Sequence, residues 1–372
     1  MKLVPLAQAA AQVKSGQPLP FSVRDAQGGL LLARGNLISG EEMREALLER
    51  GAFVDAEEVR AGQRDSELPT GERRFNQWRG LITRLSLALQ DPAAPGLETS
   101  IRGIATELAA LVQADPDMAQ ALLVHPELCA QYPYSVAHSA HVAAAWALIA
   151  LRQEGAQPEA LTVPLAAALT MNLAMLSLQD RLTHQEGPLK PLQRDQIEQH
   201  PSQSAALLRA AGVTEPLWLA IVEQHHEEDG GKGYPGRLPA PLPEARRLHM
   251  IDLYCARFGA RARRQPMLPD IAARRLFEQH PKDPTSLALA KEFGLYPPGT
   301  VVRLTSLELA LVVRRGSAVN APIAIALQNA NGEARAMPAR RDTSVPGHTV
   351  VAAVQPALLR VRIPWAQLFT LF

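Results

Sequence analysis

The chain has 372 residues, enough for one large domain or two to three smaller ones. With 47% hydrophobic and 20% charged residues it can bury a core, which excludes a disordered protein. A formal net charge of +1 argues against a general nucleic-acid field, so DNA is not an expected partner.

Aromatic residues are scarce, and abundant Ala and Leu tilt the expectation towards helix. Pro5 and the mixed run 9–14 at the start do not form a secretory core. The longest uninterrupted apolar run, Val142–Leu151, is about half of what a bilayer needs. The expectation is a soluble cytoplasmic protein with no membrane span. Cys129 and Cys255 read as buried thiols of a reducing compartment, with a disulfide as the alternative.

Residues 1–68 read as a small α/β domain. Leu19–Val23 and Leu30–Ala33 suggest two strands around the turn Asp25–Gly29. Ser39 with Glu42 fits a capping box, and Met43, Leu47 and Leu48 then share a helix face. Gly51 ends that helix, and Phe53-Val54 returns as a strand. Glu57–Arg73 is polar, holds Pro69 and Gly71, and reads as a linker.

Residues 69–294 are helical by period. Leu81, Leu85, Leu87 and Leu89 mark one helix, closed by Pro92 and Pro95. Ile104, Leu108 and Leu111 mark the next. Val136–Leu151 and Val163–Leu178 are too apolar for surface helices and are expected at the centre of a bundle. Residues 295–372 change to β-like runs, Val301–Leu304, Glu308–Val313 and Ile323–Leu327, between turn signals at Pro297-Pro298-Gly299, Gly316 and Asn331-Gly332. The basic run Arg257–Arg264 reads as a solvated helix end, or as a contact for phosphate or an acidic partner.

The most informative stretch is His225-His226-Glu227-Glu228-Asp229-Gly230-Gly231-Lys232-Gly233-Tyr234-Pro235. It reads as a helix that carries two neighbouring imidazoles, ends at a glycine pair and turns on an aromatic and a proline. Adjacent helical side chains point roughly 100° apart, so this geometry does not let His225 and His226 easily grip one ion together. They suit two neighbouring ions, or one ion and one phosphate. The bland alternative is a polar helix end with a glycine cap.

The whole string resembles the HHE…GxGYP signature of the HD-GYP family, a branch of the HD phosphohydrolases. Gly231, Gly233, Tyr234 and Pro235 match by position; Gly230 departs from the family's usual Asp, with an acid one place earlier at Asp229. Tyr134–Ser139 resembles the family's opening helix with its ligand His138. Glu198-Gln199-His200-Pro201 resembles its E..HP turn, and Leu248–Asp252 the helix with a closing aspartate. Tyr296–Leu304 resembles a β extension found in many members, and the Gly35-centred segment an N-terminal module found in some. The resemblance implies a mainly α fold: an HD-domain helical bundle with a small N-terminal α/β unit and a small C-terminal β unit. It implies bacterial cyclic-di-GMP signalling, metal candidates His138, His200, His225, His226 and Asp252, and a partner surface at Gly231, Gly233, Tyr234 and Pro235. A homodimer is left open. Taken singly, His138 and His141 also suit hydrogen-bonded core positions, Asp252 an ion pair with Arg257, and His200 a helix-end cap.

The family's His-Asp pair is missing. In Ala168–Met175, Met171 stands at the histidine position, Asn172 at the aspartate, and Ala174 and Met175 replace the following Gly and Lys. A bridging carboxylate would hold two ions roughly 3.5–4 Å apart. Asn172 is neutral, a weak ligand and a poor bridge, and the Met171 thioether does not suit Fe, Mn or Mg. Met175 also removes a cation that would meet a phosphate. The surviving residues suffice for one divalent transition ion (Fe, Mn or Zn) or for none. The resemblance therefore implies a catalytically degenerate module that binds cyclic di-GMP or a protein partner. The competing expectation is a working phosphodiesterase that makes pGpG or GMP with an unusual metal set. A scaffold like the HDOD domains ranks last, because those lack the glycine–tyrosine–proline turn.

Overall fold

The computed structural model describes residues 2–15, 19–34, 36, 38, 40–49, 51–60, 68–124, 131–257 and 267–370. Ser39, Gly35, Cys129 and the basic run beyond Arg257 lie outside the described residues. The chain divides into two compact units, Met1–Gln77 and Trp78–Phe372, with the boundary inside a helix, Thr70–Gln90.

In the first unit, β1 (Leu3–Pro5), β2 (Val23–Arg24), β3 (Leu30–Leu32) and β4 (Phe53–Asp55) form an antiparallel sheet in the order β1-β4-β2-β3. The Asp25 carboxylate closes the expected hairpin, accepting the N–H of Gln27 at 2.9 Å and of Gly29 at 2.7 Å. Helix α1 (Glu41–Glu49) lays Met43, Leu47 and Leu48 on the core around Phe21, Val23 and Val54. Gly51 leaves it with φ 64°, a conformation a Cβ disfavours. Of the first expected strand, Leu19–Val23, only Val23 lies in a strand, which runs on to Arg24. Strand β1 and the 3₁₀ turn Leu6–Gln12, neither foreseen, add Leu6 and Ala9 to this core.

The expected linker Glu57–Arg73 needs correction. Residues 56–60 are helical, and helix α2 begins at Thr70. Pro69 stands just ahead of the helix, and its carbonyl accepts the N–H of Arg73 at 3.0 Å, so the proline opens the helix instead of breaking a linker.

The second unit is a helical bundle with a sheet docked on it. Its helices are α3 (Leu97–Ala114), α4 (Pro116–Val124), α5 (Tyr134–Gln153), α6 (Thr162–Thr170), α7 (Leu176–His184), α8 (Pro191–Ala210), α9 (Pro216–Gln224), α10 (Pro243–Cys255), α11 (Pro269–Gln279) and α12 (Pro284–Glu292). Most of these open on a proline, the residue whose missing N–H costs nothing in the first turn. Helix α5 is the axis: from Ser135 to Ala150 every side chain but half-buried His141 is buried. By length and composition Tyr134–Gln153 and Pro158–His184 are apolar enough to cross a membrane, which uninterrupted runs did not suggest. Of those apolar windows 83% and 61% are buried inside the protein, so their hydrophobicity is met by neighbouring helices.

The second of these segments is not the single helix expected over Val163–Leu178. Helix α6 stops at Thr170, Met171-Asn172 turns, Leu173–Met175 makes one 3₁₀ turn, and α7 follows. Asn172 sits at φ −102°, ψ 16°, and its carbonyl accepts the N–H of Met175 at 2.9 Å. Ser204 on α8 captures the freed N–H of Ala174 at 3.0 Å. The helix thus ends where a side chain of a neighbouring helix can satisfy the freed backbone.

Strands β5 (Val301–Leu304), β6 (Leu309–Ala318), β7 (Ala321–Gln328), β8 (Ala334–Asp342) and β9 (Val350–Val354) form an antiparallel sheet in the order β8-β7-β6-β5-β9. The two edge strands were not foreseen; β8 carries three arginines and a proline and β9 is half exposed, which weakens the alternating pattern. Charge fixes the sheet to the bundle. Arg314 grips Asp115, while Arg315 reaches Asp117, Gln120 and Glu292 at 2.5 Å each. Arg152 adds a second contact to Glu292 at 3.1 Å.

Candidate metal centre

Four elements deliver the polar residues. Helix α5 presents His138, α8 His200, the end of α9 His225 and His226, and α10 His249 and Asp252. His138 Nε2 lies 2.6 Å from Asp252 Oδ1, and the His138 ring stacks on Tyr134 at 5.5 Å. Asp252 therefore pairs with His138, while the Arg257 guanidinium donates to Gln279 at 2.7 Å.

His200 lies inside α8, not at a helix end, although Pro201 follows it. Helix α9 ends at Gln224, so His225 is already the capping residue and His226 lies beyond it. This corrects the expectation that the two rings diverge as helical neighbours. Once the helix has ended the 100° rule no longer applies, and the rings approach to 4.3 Å between centroids. His200, His225 and His226 each bring one ligand nitrogen within 4.8 Å of the others. Among the described residues this is the one group of three or more metal-ligating side chains that converges.

The proton positions favour an ion. His200 Nδ1–H donates to the Ile197 carbonyl at 2.6 Å, and His225 Nδ1–H to the Val222 carbonyl at 2.7 Å. With those protons committed, both Nε2 atoms carry lone pairs, and they face each other at 3.1 Å. Two acceptors at that distance call for a cation or a shared proton between them. Backbone anchoring of one ring nitrogen, leaving the other for a metal, is the usual arrangement of ligating histidines. These residues fit a divalent ion of the imidazole-preferring kind.

Electrostatics agree. Burial pushes His200 down to about 4, partly offset by the Ile197 carbonyl and Asp252. Burial, with the charge of His200, pushes His225 to about 3, and burial takes His226 well below its ordinary value. Burial and His138 lower His141 to about 3. The rings of His200, His225 and His226 are therefore neutral at pH 7, the form in which an imidazole nitrogen ligates a metal. Burial alone would raise the Asp252 carboxyl, but the His138 hydrogen bond and the charges of His138, His226 and His225 carry it well below the carboxylate range.

The glycine turn is built against this cluster. Tyr234 stacks on His226 at 4.7 Å, and its N–H donates to the His226 carbonyl at 3.0 Å. Burial raises the Tyr234 hydroxyl pKa, so it stays protonated. Glu227 is buried, and its carboxylate accepts the N–H groups of Gly236 at 2.5 Å and Leu238 at 2.9 Å. At Gly233 a Cβ would stand 2.3 Å from the His226 carbonyl oxygen, so only glycine fits. Sequence reasoning quoted Glu227 without a role and passed over His249, whose Nδ1–H donates to the His225 carbonyl at 3.0 Å. The buried acid inside a glycine-rich turn was the available signal for Glu227; nothing in sequence marked His249. Met171 and Asn172 are buried, at 0% and 4% exposure.

Residues 122–285 match the HD domain family. The chain carries an HD domain over these residues. Over 213 residues this HD-domain chain is 28% identical to the cyclic di-GMP phosphodiesterase PA4108 of Pseudomonas aeruginosa, an alignment that covers 56% of the chain and spans only half the length of that relative. Among solved structures it is similar to Bd1817, an HDG"Y"P protein from Bdellovibrio bacteriovorus, at 14% identity and a TM-score of 0.49, covering 78% of this chain and 98% of the other. The mainly helical HD fold with small sheets towards its two ends is as the motifs implied.

Proposed function

We propose that this chain is a cyclic-di-GMP signalling module that binds the dinucleotide or a protein partner without cleaving the nucleotide efficiently. The nucleotide in this reading comes from the relative of 28% identity, whose name is that of a cyclic di-GMP phosphodiesterase. The observation that carries the reading is the buried Met171-Asn172 turn, where the family pattern needs a histidine and a carboxylate.

His200, His225 and His226, with His138 and Asp252 beside them, are assigned to one divalent ion, which when bound would polarise a water or a phosphate oxygen. Asp252 offsets part of its charge. His138 holds Asp252 in place. Tyr234 covers one face of His226. Asn172 offers a neutral amide where a second ion would need a shared carboxylate, and Met175 offers no cation to a phosphate. Gly231, Gly233, Tyr234 and Pro235 are assigned to partner contacts. The reading places the protein in the cytoplasm, where Cys255 stays reduced.

The competing reading, an active phosphodiesterase, is favoured by the three converged imidazoles. Elemental analysis of the purified protein, calorimetric titration with cyclic di-GMP and a product assay with Mn or Fe separate the two. One equivalent of metal, with binding and no pGpG, supports the signalling module. Two equivalents with rapid turnover sinks it in favour of the enzyme.

A further inference from the structure

We infer that Pro201 is a positioning residue that sets which nitrogen of His200 carries the proton; this rests on the reading of the imidazole cluster as an ion site. In an uninterrupted α-helix the N–H of residue 201 would donate to the carbonyl of residue 197. Proline has no N–H, and Pro201 lies buried in the interior of α8, among the least favourable places for it. The Ile197 carbonyl is thereby left without its helical donor, and the His200 Nδ1–H occupies it at 2.6 Å. A buried carbonyl without a partner is costly, so the vacancy and the ring proton satisfy each other.

The consequence falls on the opposite side of the ring. With Nδ1 committed, Nε2 keeps its lone pair and aims it at His225, 3.1 Å away. His225 uses the same offset, three residues back, to the Val222 carbonyl at 2.7 Å. There the vacancy comes from the end of α9 at Gln224, since carbonyls in the last turn of a helix lack an intrahelical donor. One ligand takes its carbonyl from a helix terminus. The other, in mid-helix, needs a proline to create the equivalent of one.

Alanine at position 201 restores the N–H and lets it compete for the Ile197 carbonyl. The test uses the full chain and its Pro201→Ala variant. Nitrogen-15 NMR of the imidazoles in metal-free protein reads the tautomer, competition with a chromophoric chelator reads the affinity for Zn²⁺, and thermal melting checks the fold. The wild-type protein is expected to show His200 protonated at Nδ1. The variant is expected to shift that ring towards Nε2–H, to bind Zn²⁺ about 10-fold more weakly, and to melt no lower than wild type. A variant that keeps the Nδ1–H tautomer overturns the inference, whether or not zinc affinity changes, because Pro201 then acts on shape alone. If the wild-type protein binds no zinc, the ion reading fails by itself, and the tautomer in the metal-free variant still decides the role of Pro201.

Discussion

His138 and Asp252, separated by 114 residues of chain, meet Nε2 to Oδ1 at 2.6 Å. The contact ties the first helix of the site to the last, and the Asp252 carboxylate it holds acts on His200, His225 and His226 alike, partly offsetting the burial that lowers each of them. Removing the carboxylate leaves His138 buried beside a neutral group. Asp252→Asn is therefore expected to lower stability by about 2 kcal/mol, the scale for a hydrogen bond to a charged group, and to weaken metal binding. Urea denaturation of the metal-free variant checks the first effect. An unchanged midpoint would show that the pair adds nothing to the fold.

Acid should destabilise the metal-free protein well above the carboxylate range. His200 and His225 titrate near 4 and 3 in the folded chain against 6.5 when unfolded, because burial disfavours their charged forms. Between those values the unfolded chain binds protons that the folded chain refuses, so stability rises with pH and falls as pH drops below 6.5. At pH 5 each ring costs about 2 kcal/mol relative to neutral pH. Urea midpoints at pH 7.5 and 5.0 measure this. A midpoint higher at pH 5.0 would contradict the burial of the two rings.

The glycine turn should control the metal site without supplying a ligand. Gly233→Ala drives a Cβ against the His226 carbonyl oxygen and the Glu227 Cα, at 2.3 and 2.5 Å, so the backbone holding His226 must move. Glu227→Ala leaves the N–H groups of Gly236 and Leu238 without their acceptor, at about 1–3 kcal/mol for a buried group. Both variants are expected to lose zinc affinity while every imidazole remains. Hydrogen exchange at Gly236 and Leu238 should quicken in Glu227→Ala; wild-type protection there would mean that other groups hold the turn.

How much of this was legible in sequence depended on whether a residue's role is local. The order of His138, His200, His225, His226 and Asp252 could be read because each sits in its own short motif. The convergence of His225 and His226 could not, since it depends on α9 ending one residue before the doublet. Helix breaks behaved alike: Pro92 and Pro95 announced the end of α2, but the stop at Thr170 lies in an apolar stretch and depends on Ser204 of another helix. In the sheet, the buried strands β5 to β7 showed in composition. Strand β8 did not, because Arg335 and Arg341 pair with Glu308 from a distant turn, which the local pattern cannot show.

Restoring the missing pair tests the central claim directly. Asn172 is buried, and Asp is nearly its isostere, so Met171→His with Asn172→Asp changes chemistry more than volume. Without metal the new carboxylate is a buried charge with no assigned partner, which costs several kcal/mol. With Mn²⁺ that cost becomes binding energy, because a ligand that binds only the folded state stabilises it, by about 2.7 kcal/mol at 100 times its dissociation constant. The double variant should therefore melt below wild type when metal-free and gain far more on adding Mn²⁺, with metal content rising from one equivalent to two. Melting curves with and without Mn²⁺, together with elemental analysis, give the answer. A variant that takes up no second ion would mean that positions 171 and 172 do not face the imidazole cluster, and their loss could not then explain a silent site.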